Sequence, residues 1–61
     1  MTTPDAEERD ALLTRYRRAL TACGYPPDLI EKNCENGRYI PIGALREFVE
    51  RAEERLAARG S

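Results

Sequence analysis

Apolar residues recur at three- and four-residue spacing over two long stretches of this chain, and a turn-rich middle separates them. In the first stretch Leu12, Leu13, Tyr16, Ala19, Leu20 and Cys23 fall on one side of a helix. Thr3 suits the N-cap and Pro4 the first helical position. Asp5, Glu7 and Glu8 occupy the opening turns, where the helix dipole favours negative charge, and Arg17 and Arg18 lie towards the opposite end. Gly24 supplies a left-handed stop, so the pattern predicts a first helix over about residues 4–23.

Tyr25-Pro26-Pro27-Asp28 breaks the chain and restarts it. Pro27 opens a short second helix over 27–36, with Leu29, Ile30 and Cys34 facing inward and Asn36-Gly37 ending it. A rival reading makes Asn36-Gly37 a hairpin turn, but Glu31-Lys32-Asn33 is not strand-like. Arg38-Tyr39-Ile40 has the aromatic and β-branched character of an extended piece, and Pro41 holds Ile40 out of the helical region. A third helix follows over about 42–58, closed by Gly60. Leu45, Phe48, Val49, Ala52 and Leu56 form its stripe, and Glu47 stands one turn before Arg51 in the favourable order for an ion pair. The expected fold class is all-α: a compact three-helix domain with a vestigial strand at 38–40.

Sixty-one residues make a single domain, spanning 1–61. A chain this short buries only about 60% of the surface its unfolded form exposes, so an interface or a partner is expected to add to the core. Charged residues make up 34% of the chain, which suits helices with one buried stripe. Ten basic and eleven acidic side chains give a net charge of −1, too balanced for chain-wide attraction to nucleic acid or anionic membrane. No stretch approaches the roughly 18 apolar residues of a spanning helix, and MTTPDAEERD lacks a basic-then-apolar signal pattern. Both features point to the cytoplasm, with no membrane association.

Little in the chain can carry chemistry. There is no histidine for proton transfer at neutral pH, no nucleophile with an evident base and no glycine-rich phosphate loop. Cys23 and Cys34 lie at the ends of consecutive predicted helices, where a disulfide is geometrically conceivable. In a reducing cytoplasm, buried free thiols are the expectation. Two thiols do not complete a structural zinc site. An enzyme, a cofactor and a small-molecule substrate are therefore not expected. One segment is distinctly basic: from Ala11 to Gly24, Arg15, Arg17 and Arg18 stand without a carboxylate.

The run from Gly37 through Arg38-Tyr39-Ile40-Pro41 to Ala44-Leu45-Arg46-Glu47-Phe48 and Arg51 resembles the last strand and closing helix of the excisionase-like, MerR-related winged helix-turn-helix family. Shared features are a glycine-arginine turn, a short strand ending in Ile-Pro, and Ala-Leu-x-x-Phe, with Leu45 and Phe48 seating the helix. Leu20-x-x-x-Gly24-Tyr25-Pro26 is similar to the end of that family's first helix, which puts residues 27–34 at the recognition-helix position. The resemblance implies DNA binding, with Lys32 and Arg38 nearest the duplex and Arg15, Arg17 and Arg18 on its backbone. That second helix sets Asp28, Glu31 and Glu35 against Lys32 alone, which repels phosphate.

The residues themselves favour a different function. A near-neutral chain with an acidic second helix and a long third helix reads as a non-enzymatic protein-interaction module, either a homodimer or an adaptor or inhibitor of a larger partner. The third helix's stripe runs on past what the first two helices are expected to cover, so Phe48, Ala52, Leu56 and Arg59 are the candidate partner-binding residues. DNA contact through Arg15, Arg17, Arg18, Lys32 and Arg38 is the alternative.

Overall fold

The computed structural model describes residues 4–59, and the expected cap at Thr3 and stop at Gly60 lie outside them. Three helices form in the order expected: α1 (Pro4–Ala22), α2 (Pro27–Asn36) and α3 (Ile42–Arg59). At the end of α1, Gly24 takes φ +88°. The Gly24 N–H donates to the Thr21 carbonyl and the Tyr25 N–H to the Leu20 carbonyl, each at 3.1 Å. That pair of bonds is the left-handed stop, and Tyr25 packs on the cluster that holds Leu20, as such stops favour. Pro26 is extended (φ −66°, ψ 151°) and Pro27 starts α2, where a missing N–H costs nothing.

Residues 38–40 do not form the vestigial strand. The Arg38 N–H donates to Glu35 and the Tyr39 N–H to Asn36, so the chain leaves α2 through tight turns, and no strand occurs among the described residues. Gly37 is the reason. It is buried in a right-handed helical conformation (φ −63°). A Cβ there would stand 2.8 Å from Leu13 Cδ2 and 3.1 Å from Leu45 Cδ1. The glycine serves close approach between three segments, and not a reversal of the backbone.

Arg9 fastens this connection. Its Nη1 donates to the Gly37 carbonyl and to the Ile40 carbonyl, each at 2.7 Å in a partly buried setting. These are carbonyls that no helix satisfies, and a cation near the C-terminal end of α2 also suits the helix dipole. Since Arg9 lies near the start of α1, the bond shows that α1 and α2 run antiparallel. Between α1 and α3 the links Glu8–Arg46, Arg15–Glu53 and Cys23–Arg59 fall in the same order along both helices, so these two run parallel.

The core lies along one buried stripe of α1, in two adjoining clusters. Ala19 and Leu20 meet Ile30 and Cys34 of α2 and Ala52 of α3, while Leu12 meets Leu45 and Val49. Leu13 and Tyr16 pack against both clusters. Two inward expectations fail. Leu29 is 47% exposed, and Phe48, expected to seat α3 beside Leu45, is 44% exposed while Leu45 is fully buried. The cause is the arrangement: α2 and α3 each lie along α1, and no Cα of one comes within 8 Å of a Cα of the other. The flank of each apolar stripe that faces the third helix stays open.

Replacing Arg9 with alanine is expected to lower stability by about 1–2 kcal/mol, since two partly buried carbonyls lose a charged donor. Arg17→Ala, at an exposed position, is expected to leave the urea midpoint unchanged. Equal midpoints for the two variants would show that the clamp contributes nothing.

Candidate functional site

The space left between α2 and α3 is a groove floored by α1. Two adjoining concavities of about 370 and 410 Å³ share Tyr16, Asn33 and Phe48. Tyr16 and Leu20 come from α1, Leu29 and Asn33 from α2, and Phe48 and Ala52 from α3. One end is bounded by Tyr25, whose Oη accepts a hydrogen bond from Arg55 Nη1 at 3.1 Å. The other end is bounded by Ile40 and by Tyr39, which is 81% exposed. The three exposed large apolar side chains of the described residues, Leu29, Tyr39 and Phe48, therefore all border one feature. Helices whose apolar flanks are left uncovered above a third leave such a trough.

The groove is apolar with few polar handles. Burial at its floor raises the Tyr16 phenol above 10.0, and the nearby Cys34 thiol and Tyr25 phenol push the same way. Its charged lining residues are Arg51 and Arg55 alone; no carboxylate lines it among the described residues. The expected Glu47–Arg51 ion pair is absent from the ion pairs of the described residues, which are Arg15–Glu53 and Glu8–Arg46. Cys23 lines the groove half-buried, Cys34 is buried, and both are free thiols.

The four residues singled out for partner binding separate. Phe48 lines the groove with its ring half exposed, and Ala52 lines it from the core. Leu56 is half-buried, and Arg59 Nη1 donates to the Cys23 carbonyl at the end of α1. α3 does not outrun its neighbours as the sequence suggested, because α1 has 19 residues to its 18 and lies parallel alongside it.

The basic residues separate too. Arg15 forks onto the Glu53 carboxylate, its Nε at 3.1 Å and Nη2 at 2.5 Å from the two oxygens, and that bond raises its pKa above the ordinary guanidinium value. Arg17, Arg18, Lys32 and Arg38 are exposed. Arg46 binds Glu8, which likewise raises its pKa.

Leu29 and Arg9 are what sequence reasoning placed wrongly or passed over. Leu29 and Ile30 are adjacent, about 100° apart on a helix, and Leu29 shares its face with Asn33 and Asn36, so only Ile30 turns to the core. Arg9 lies three residues before Leu12 and four before Leu13, which continues the buried stripe by one turn. An arginine on an apolar stripe was the available signal.

Comparison with protein-family models, with curated proteins and with solved structures finds no match to this chain. Among the described residues no helix is long and apolar enough to cross a membrane, and no group of three or more potential metal ligands occurs.

Leu45→Ala is expected to cost about 3 kcal/mol by chemical denaturation and Phe48→Ala about 1 kcal/mol, since the second ring is only half withdrawn from water. A comparable loss for both would mean that the groove is closed in solution. For Tyr16 the folded value is the raised one, so its contribution is complete below pH 10.0 and is lost as the pH climbs through the folded value. Stability measured from pH 9 upward should therefore fall less steeply in Tyr16→Phe than in the parent chain; parallel curves would refute this.

Proposed function

We propose that this chain is a non-enzymatic protein-interaction module that holds a helical segment of another polypeptide in the groove between α2 and α3. The observation that carries this reading is the convergence of Leu29, Tyr39 and Phe48 on one apolar trough. Exposed apolar side chains scattered singly need no explanation, but a contiguous set around a concavity is the usual form of a docking surface. The marginal core of so small a domain adds to the case, because a bound helix would cover the flanks that α2 and α3 leave bare. Adaptor or inhibitor roles both follow from such a groove.

DNA contact of the excisionase-like kind has in its favour four exposed cations, Arg17, Arg18, Lys32 and Arg38. Against it stand the net charge of −1 and the engagement of Arg15 by Glu53. Electrostatic attraction to the phosphate backbone supplies most of non-specific binding, and this chain has little of it to offer.

Panning a displayed library of helical peptides against the chain, in parallel with its Phe48→Glu variant, tests the groove. Peptides enriched on the parent and lost on the variant are the expected result. Failure to enrich, or enrichment indifferent to Phe48, would overturn the reading. A gel shift with random duplex at low salt and micromolar protein would transfer support to DNA contact.

A further inference from the structure

We infer that the groove's occupant is an acidic, amphipathic helix of about three turns from a different polypeptide, with its carboxylates set against Arg51 and Arg55. This rests on the docking reading above and specifies its ligand. The length follows from the walls. Between Leu45, which lines the Tyr39 end, and Arg55, which lines the Tyr25 end, α3 rises about 15 Å, or about three turns.

The charge follows from the lining. The chain as a whole is slightly acidic, yet the charged residues that reach the groove are both arginines, and they lie one turn apart at the same end. Arg55 spends one donor on the Tyr25 hydroxyl, and a guanidinium has five. Arg51 borders the polar surface of Glu47, Glu50 and Glu54 on its other side but is held in no ion pair among the described residues. A carboxylate at this end of an apolar helix would meet two fork-shaped donors beside a low-dielectric wall, where charge-assisted bonds are strongest. The polar rim would thereby fix which end of the occupant lies where.

The occupant is a different chain because a second copy has little to insert. The large apolar side chains that this protein exposes among its described residues all border the groove itself. A copy that docked through them would bring Arg51 and Arg55 of its own and no lining carboxylate.

The test uses two synthetic helical peptides with one leucine stripe, of about three turns, each labelled for fluorescence anisotropy. One carries a glutamate pair at one end and the other a lysine pair at the same positions. The parent chain is expected to bind the glutamate peptide at least about tenfold more tightly, with the advantage shrinking as salt rises. In the Arg51→Glu, Arg55→Glu double variant the preference should reverse, the lysine peptide becoming the better ligand. Circular dichroism of that variant checks that it folds, and the Arg51→Gln, Arg55→Gln double variant, which should bind both peptides alike, provides the same readout without charge reversal.

Equal binding of both peptides, lost in Phe48→Glu, would overturn the acidic occupant and leave the groove as a docking site. Binding of neither would overturn both. Sedimentation that shows a dimer dissolved by Phe48→Glu would assign the groove to a second copy and overturn the foreign helix.

Discussion

Everything in this fold depends on α1 serving as the shared wall for two helices whose backbones stay apart. Its stripe supplies Leu12, Ala19 and Leu20 to the buried core and spreads Leu13 and Tyr16 between the two clusters. α2 meets that stripe in one cluster and α3 in both, with Ala52 of α3 sharing the Ala19–Leu20 cluster with Ile30 and Cys34 of α2. Three helices in mutual contact would close a single core. Two helices on one wall leave a trough, and the trough inherits the apolar flanks that would otherwise have faced each other. The proposed docking surface is thus a direct consequence of how the core is assembled.

That arrangement places a demand on the connection between α2 and α3, which must carry the chain across while keeping the helices apart. Arg9 and Gly37 meet it together. The arginine holds two carbonyls of the turn from below, and the missing side chain of the glycine lets Leu13 and Leu45 close over it. Surface ion pairs such as Arg15–Glu53 and Glu8–Arg46 align α1 with α3 in parallel but are exposed and screened, so they register the pair more than they stabilise it. They also decide which cations stay free: Arg15 and Arg46 are engaged, while Arg51 is left at the groove.

Much of the scaffold was legible in the residues. Pro4, Gly24, Pro27 and Pro41 mark the element boundaries through backbone constraints that act locally, so the three helices fall within a residue of where the pattern puts them. The turn at 38–40 was misread because Tyr and Ile favour extended backbone only weakly, and the packing of Gly37 outweighed that preference. The candidate site was half visible. Phe48 and Ala52 do line the groove, but Leu56 is not among its lining residues and Arg59 binds the Cys23 carbonyl at the end of α1.

The sequence by itself determined the helices, their stops and the stripe each one carries, because dihedral limits and helical periodicity act over a few residues. Only the tertiary structure decided which flank of each stripe is covered. Periodicity specifies an apolar face about 100° wide but not how many neighbours share it. With α2 and α3 both committed to α1, Leu29 and Phe48 kept the faces that a closed bundle would have buried, and the groove lies between them.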